Sequence, residues 1–267
     1  MLSELVSLAR TLLTLAAILP GLVAGLATFV VTRDRRRAVN RSVAVWGELG
    51  TRAARIDLDV RGAAWLESAR PCIFLINHQG GVDAIILCAL LKRDFVGVAK
   101  AEIRRNPFLG PAFVFAGTIF VDRFDSARGA QALRPALDRL ARGASIAIAP
   151  EGTRAAGNEM GAFKKGGFRI AMAAGVPVVP IVICNSGDVL PRGAWIMRPA
   201  RVRVVVHAPI VTDGWTLETL DAEIERVRTL YQSTLGSFAT RREGDPGLDR
   251  AKPRRSSRHV RDDLGPR

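Results

Sequence analysis

Seven short apolar runs, separated by longer amphipathic stretches, constrain the fold of this chain more than any other feature. Short runs rich in Val and Ile are typical of buried β-strands, and amphipathic stretches between them are typical of helices that cover a sheet. We therefore predict an α/β fold with a mostly parallel sheet flanked by helices. The predicted strands are 56–60, 71–76, 95–99, 118–122, 144–149, 177–183 and 202–207, and the predicted helices are 83–92, 126–142, 165–175 and 216–238.

Residues 12–31 form a separate apolar segment that contains no charged side chain. Its length of about 20 residues suffices to cross a bilayer. Pro20-Gly21 in its middle can kink it or divide it into two short helices. A spanning helix, a hairpin of two helices in one leaflet and a buried core helix are all compatible with this pattern. We favour a membrane-embedding helical segment.

Four arginines between residues 33 and 37 follow this apolar segment directly. A basic flank on this side argues against a cleaved signal peptide, in which the charges precede the apolar region. The positive-inside rule then places the rest of the chain on the cytoplasmic side of the inner membrane. Composition predicts three parts: an N-terminal membrane-anchoring helical segment at 1–51, an α/β domain at 52–239 and a basic disordered tail at 240–267.

The net charge of +14 predicts an anionic partner, such as a phosphorylated substrate or an anionic membrane surface. A solvated basic surface is the plainer alternative. Aromatic residues make up only 6% of the chain and are not interleaved with Lys and Arg, so we predict no nucleic-acid partner. The three cysteines each lie in an apolar run, which predicts small core residues in a reducing compartment.

His78 and Asp83 are the clearest candidates for chemistry. His78 follows the predicted strand 71–76, and active sites of open α/β sheets lie beyond the carboxyl ends of strands. An imidazole can act as a general base near neutral pH, and a carboxylate can fix its tautomer. Asp83 can reach His78 if the chain folds back at Gly80-Gly81. Asp83 is equally suited to be the N-cap of the following helix. Of the other two histidines, we interpret His207 as structural and place His259 in the tail.

Cationic residues recur at the ends of other predicted strands. Lys100 ends one strand, Arg123 follows the next, and Glu151-Gly152-Thr153-Arg154 follows strand 144–149, with Lys164-Lys165 after it. Arginine can bind a phosphate through two parallel hydrogen bonds, although any one surface cation is more often inert. The chain has no Gly-x-Ser-x-Gly elbow, no P-loop, no Gly-x-Gly-x-x-Gly and no metal-ligand spacing, so we predict no metal and no cofactor.

Together these segments resemble the glycerolipid acyltransferase family, which includes the 1-acylglycerol-3-phosphate acyltransferases. Four blocks stand in the family's order: His78-x4-Asp83, Gly117 to Arg123, Glu151 to Arg154, and the proline-bearing run 176–181. The similarity covers about residues 55–210 and implies a glycerol-3-phosphate acyltransferase-like fold. Gly80-Gly81-Val82, Ala149 and Ala155 depart from the commonest pattern at positions that flank the acceptor site.

The resemblance also implies roles. His78 would deprotonate the acceptor hydroxyl and Asp83 would orient His78. The substrate-binding residues would be Lys100, Arg123, Glu151, Gly152, Thr153 and Arg154.

The implied reaction moves a fatty acyl group from acyl-CoA or acyl-carrier protein to 1-acylglycerol 3-phosphate, giving phosphatidic acid in phospholipid biosynthesis. Other membrane-lipid acceptors stay open: glycerol 3-phosphate, another lysophospholipid, a lyso-ornithine lipid or a glycolipid. A non-catalytic membrane protein that binds anionic lipid is the alternative from a different class, and oligomeric state is not predicted.

Overall fold

The computed structural model describes residues 2–107, 109–121, 133–152, 160–191 and 193–244. The helices are α1 Leu2–Ala16, α2 Ile18–Thr32, α3 Arg35–Ala53, α4 Trp65–Ser68, α5 Asp83–Leu91, α6 Gly110–Phe115, α7 Arg134–Ala141, α8 Gly166–Ala174 and α9 Leu220–Gly244. The strands are β1 Ile56–Arg61, β2 Ile73–Ile76, β3 Phe95–Lys100, β4 Ile119–Val121, β5 Ser145–Ile148, β6 Val178–Ile183 and β7 Ala200–Val206. Short 3₁₀ turns cover Ala101–Arg105 and Ser186–Asp188.

The seven strands form one sheet in the order β1-β7-β6-β2-β5-β3-β4. Every neighbouring pair is parallel except β6 and β7, which are antiparallel. The carboxyl ends of β2 to β6 therefore meet at one edge of the sheet, which we call the carboxyl edge. The carboxyl ends of β1 and β7 lie at the opposite edge. The predicted α/β fold with a mostly parallel sheet is confirmed.

Two apolar layers enclose the sheet. The side chains of β2 alternate between the layers: Phe74 and Ile76 pack on the layer that contains α5, whereas Ile73 and Leu75 pack on the layer that contains α8 and α9. All four residues of β2 are buried, as are all six of β6. Burying each such side chain stabilises the fold by roughly 1.5–3 kcal/mol. The strand that leads into His78 is therefore fixed on both faces.

All seven predicted strands are present, with ends shifted by at most two residues. The last helix begins at Leu220 rather than at 216, because the hydroxyls of Thr216 and Thr219 bond each other's backbone N–H groups before the first turn. It runs to Gly244, beyond the predicted end at 238. Of the predicted helix 126–142, residues 126–132 lie outside the described part, and α7 covers Arg134–Ala141.

The N-terminal segment folds as two consecutive helices, α1 and α2, with only Ala17 between them. The stretch Glu4–Thr32 is long and apolar enough to cross a membrane. Its outer face exposes large apolar side chains: Leu5, Val6, Leu8, Leu12, Leu13, Leu15, Leu19, Val23, Leu26, Phe29, Val30 and Val31. An apolar face of this size is typical of a membrane-interaction surface. The buried-core-helix alternative is therefore wrong for this segment.

Candidate active site

The carboxyl edge gathers most of the predicted site residues within the described part of the chain. His78 follows β2, Glu151 and Gly152 follow β5, and Lys100 ends β3. In the sheet, β5 lies between β2 and β3. The structure thus brings His78 next to Glu151, with Lys100 one strand further along the same edge.

His78 and Asp83 meet inside the turn formed by residues 77–83. The distance between His78 Nδ1 and Asp83 Oδ2 is 2.6 Å. A carboxylate only accepts hydrogen bonds, so we assign the imidazole proton to Nδ1. The Asp83 side chain is 2% exposed and that of His78 is 31% exposed. The carboxylate is therefore buried beneath a histidine whose ring still reaches solvent.

The same carboxylate oxygen organises the backbone of the 77–83 turn. Asp83 Oδ2 also accepts the backbone N–H groups of Gln79 at 2.9 Å and Gly80 at 3.0 Å. Asp83 is the first residue of α5, and the N-cap position is held by Val82 without a side-chain bond. The N-cap interpretation of Asp83 is therefore wrong, because its oxygen bonds the turn before the helix and not the helix itself.

The two glycines of this turn serve close packing. A Cβ at Gly80 would lie 3.0 Å from Ser186 Oγ, and a Cβ at Gly81 would lie 2.9 Å from Leu190 Cδ2. Neither glycine has a positive φ. We expected them to ease a tight backbone turn, but the structure uses them to let the segment after β6 pack against it.

Asn77 fixes the start of the turn, a role that the sequence pattern did not predict. Its Nδ2 donates to Ile183 O at 2.8 Å, and its Oδ1 accepts from Ile183 N at 2.7 Å. This side chain is buried and continues the pairing of β2 with β6 by one residue. A signal was present: a buried strand led directly into an amide side chain, which requires partners when buried.

Glu151 bonds the backbone of the same turn, and the sequence did not predict this contact. Its Oε2 accepts the backbone N–H of His78 at 3.2 Å, and the residue is 7% exposed. Burial raises the pKa of Glu151 to about 7, and the nearby Asp83 adds to the rise, while the contact with His78 opposes it. The structure shows Glu151, a predicted substrate-binding residue, in contact with the backbone of His78, and its role towards the substrate stays a prediction.

Three predicted substrate-binding residues, Arg123, Thr153 and Arg154, lie outside the described residues. Their proposed roles therefore rest on their positions in the chain: Arg123 is the second residue after β4, and Thr153 and Arg154 follow Gly152. Gly152 itself adopts a φ of +74°, a conformation that favours glycine.

The cysteines are buried in the core, as predicted. Cys72, Cys88 and Cys184 are free and buried. Burial raises the pKa of the Cys72 and Cys88 thiols to about 12 and that of Cys184 to about 11. Thiols of this kind are poor nucleophiles. Among the described residues, no group of three or more His, Cys, Asp and Glu side chains could hold a metal ion.

Comparison with known proteins gives consistent results. The acyltransferase family model matches residues 57–184. A chloroplastic 1-acyl-sn-glycerol-3-phosphate acyltransferase of Brassica napus is 35% identical over 154 residues, which is 57% of this chain and 44% of that protein. The human 1-acyl-sn-glycerol-3-phosphate acyltransferase alpha is 31% identical over 174 residues, which is 65% of this chain and 62% of that protein. The matched region thus spans less than two thirds of either relative.

A solved structure extends the likeness to most of the fold. The crystal structure of the 1-acyl-sn-glycerophosphate acyltransferase PlsC from Thermotoga maritima superposes with a TM-score of 0.74 at 25% identity, covering 88% of this chain and 95% of that one. The region matched by the family model holds His78, Asp83 and Glu151. Residues 57–184 therefore form a domain of the acyltransferase family.

Proposed function

We propose that this protein transfers a fatty acyl group from an acyl thioester to the free hydroxyl of 1-acylglycerol 3-phosphate, giving phosphatidic acid. The 2.6 Å contact between His78 and the buried Asp83, at the carboxyl edge of an acyltransferase domain, carries the proposal. The Brassica napus and human relatives are 1-acyl-sn-glycerol-3-phosphate acyltransferases, which supports the choice of acceptor.

His78 acts as the general base in this proposal. With Nδ1–H donated to Asp83, the lone pair of Nε2 can take the proton of the acceptor hydroxyl. The hydroxyl oxygen attacks the thioester carbonyl, a new ester C–O bond forms and the C–S bond breaks. The leaving thiolate receives the proton from the imidazolium. Asp83 stabilises the imidazolium between these two steps.

The acyl group passes directly from donor to acceptor, without an acyl-enzyme. The three buried thiols, with their raised pKa values, are unsuited to hold an acyl group. The chemistry needs a base and an oriented acceptor, and we assign it no metal and no cofactor beyond the acyl-CoA or acyl-carrier-protein co-substrate. Turnover measured with acyl-CoA and with acyl-carrier protein identifies the donor.

The acceptor phosphate is assigned to the cations of the carboxyl edge. Lys100 stands at the end of β3, and Arg123, Thr153 and Arg154 follow β4 and Gly152 in the chain. A dianionic phosphate attracts such a cluster, and guanidinium groups bind it through paired hydrogen bonds. Glu151 shapes this subsite indirectly, because it holds the backbone N–H of His78.

The apolar N-terminal helices associate the protein with a membrane. Both are docked on the rest of the chain: Arg10 donates to Met197 O at 3.2 Å, and Gly21 and Gly25 pack closely on α3. These contacts favour two helices embedded in one leaflet over a single spanning helix. We propose the inner membrane as the location, with the acyltransferase domain on the cytoplasmic side, as the arginines between residues 33 and 37 indicate. The same arginines would lie on its anionic surface.

Purified full-length protein, assayed for thiol release and for the lipid product by mass spectrometry, tests the proposal. Acyl-CoA and acyl-carrier protein are each offered with a panel of acceptors: 1-acylglycerol 3-phosphate, glycerol 3-phosphate, another lysophospholipid, a lyso-ornithine lipid and a glycolipid. We expect phosphatidic acid from the first acceptor at the highest kcat/KM. A different preferred acceptor would replace the proposed substrate. Lipid binding without turnover on any acceptor would instead indicate the non-catalytic lipid-binding protein.

A further inference from the structure

Two adjacent lysines near the carboxyl edge, Lys164 and Lys165, differ sharply in their surroundings. The Lys165 ammonium lies 2.7 Å from the carboxylate of Asp221 in α9, and both side chains are largely exposed. Lys165 therefore connects the start of α8 to α9 at the protein surface. Lys164 extends in another direction, towards the residues that follow β5.

The backbone of Lys164 is held beside the end of β5. Its N–H donates to Pro150 O at 2.7 Å. The preceding residue, Phe163, is buried, and its ring meets Tyr231 edge-on at 5.3 Å between centroids. The hydrogen bond and the buried ring fix the origin of the Lys164 side chain, although the side chain itself is exposed.

The side chain of Lys164 lies across Gly152. A Cβ built at Gly152 would lie 2.9 Å from Lys164 Cε and 3.1 Å from both its Cδ and its Nζ. Any larger residue would therefore displace the end of this lysine, in addition to straining a backbone with a φ of +74°. Gly152 directly follows Glu151, whose carboxyl accepts the backbone N–H of His78, so the Lys164 side chain crosses the residue next to the one that contacts the 77–83 turn.

No acidic group among the described residues neutralises the charge of Lys164. Within the part of the chain that the structure describes, its ammonium makes no hydrogen bond or ion pair, in contrast to that of Lys165. A lysine ammonium has three donors and binds phosphate as a compact point charge. A cation placed at the carboxyl edge by its own backbone contacts is suited to a dianionic ligand.

We propose that Lys164 binds a phosphate oxygen of the acceptor, and that residue 152 is glycine because the Lys164 side chain passes over it. This inference rests on the proposed function, since the phosphate is that of 1-acylglycerol 3-phosphate. It adds to the acceptor subsite a residue that lies outside the four sequence blocks, and it separates two lysines that the sequence presents as equivalent.

The test compares Lys164→Met with Lys165→Met in the purified full-length enzyme. Methionine keeps most of the side-chain length and removes the charge, and Lys165 is the matched control. A hydrogen bond to a charged group contributes about 1.5–3 kcal/mol, so we expect Lys164→Met to raise the KM for 1-acylglycerol 3-phosphate roughly 10- to 100-fold. The KM for the acyl donor and the melting temperature should change little. Lys165→Met should leave the acceptor KM, the donor KM and the melting temperature close to wild type. Lys164→Arg, which restores a cation, should recover part of the acceptor affinity.

Gly152→Ala supplies a second readout through a double-mutant cycle. If the alanine acts partly by displacing the ammonium, its effect on the acceptor KM will be larger in the wild type than in the Lys164→Met background. Equal effects in both backgrounds would show that Gly152 serves only its own backbone conformation, which would overturn the link between the two residues.

The outcomes separate this inference from the proposed function. Turnover of 1-acylglycerol 3-phosphate by the wild type, with the same acceptor KM in Lys164→Met and Lys165→Met, would overturn the role of Lys164 and leave the function intact. Absence of turnover by the wild type with either acyl donor would overturn the function and this inference with it.

Discussion

Two histidines stand at strand ends in this protein, and only one of them is placed to react. His78 follows β2 at the carboxyl edge, where Asp83 holds its Nδ1 at 2.6 Å. His207 follows β7, and its Nε2 lies 3.0 Å from Thr234 Oγ1 of α9. The described residues place no carboxylate within hydrogen-bond distance of His207.

Strand direction accounts for much of the contrast. β6 is parallel to β2, but β7 is antiparallel to β6, so the end of β7 points to the opposite edge of the sheet. His207 lines a cavity of about 680 Å³ beneath α9, together with Arg61, Arg203 and Arg241. Burial lowers the pKa of His207 there, which favours the neutral ring. Position after a strand is therefore insufficient for a catalytic base, which also needs the right edge and a carboxylate.

Removal of the His78 imidazole should have the largest effect. His78→Ala should lower kcat/KM by on the order of 10²–10⁴, the usual contribution of a general base. Thiol release from acyl-CoA in the presence of 1-acylglycerol 3-phosphate measures it. Near wild-type turnover by His78→Ala would show that His78, like His207, is not the general base.

Asp83→Asn should have the next largest effect. An amide oxygen can still accept from the Gln79 and Gly80 N–H groups, so the turn should persist, but an amide cannot stabilise an imidazolium as a carboxylate does. We expect a loss in kcat on the order of 10² with a melting temperature within a few degrees of wild type. Unchanged kcat would reduce Asp83 to a residue that only shapes the turn.

Glu151→Gln should change how stability depends on pH. The Glu151 carboxyl has a pKa of about 7 in the folded protein against an ordinary value of 4.5, so between these two values the folded state binds the extra proton. Its contribution to stability therefore falls as pH rises from about 4.5 to 7 and is constant above. The glutamine does not titrate, so the variant should gain about 1–3 kcal/mol relative to wild type across this range, allowing for partial solvent screening.

Thermal unfolding of wild type and Glu151→Gln at a series of pH values provides the measurement. The difference in melting temperature, variant minus wild type, should become more positive from pH 5 to pH 8. A difference that does not vary with pH would show that the carboxyl behind His78 titrates normally.

His207→Ala should have the smallest effect. Loss of the contact with Thr234 should cost about 1 kcal/mol of stability, while kcat should stay within about twofold of wild type. The same thiol-release assay, run beside His78→Ala, checks it. A large fall in kcat with intact folding would show that the groove beneath α9 takes part in the reaction.

The sequence was sufficient to predict the seven strands and the pairing of His78 with Asp83. Strand periodicity is local, and two residues five positions apart meet through a single turn. The contacts of Glu151 with His78 and of Asn77 with Ile183 were missed, because they depend on which strands are neighbours. The order β6-β2-β5 is set by long-range packing, which no local pattern encodes.

Helix contacts that depend on close packing were also not predictable from local sequence. α3 was not separated from the anchoring segment, yet Gly47 and Gly50 bring it directly against α5, the helix that begins with Asp83. The many charged residues of α3 are typical of a solvent-exposed segment. The reason for Gly47 and Gly50 is visible only when the partner helix α5 is in place. The two lysines at 164 and 165 were likewise indistinguishable until Gly152 and Asp221 were located beside them.

A double-mutant cycle on His78 and Asp83, measured as kcat for acylation of 1-acylglycerol 3-phosphate, tests the central claim most directly. If the carboxylate acts only by orienting and stabilising this imidazole, the His78→Ala/Asp83→Asn variant will be no slower than His78→Ala alone. Losses that multiply in the double variant would mean that the two side chains contribute independently, and the pair would then not be the catalytic unit.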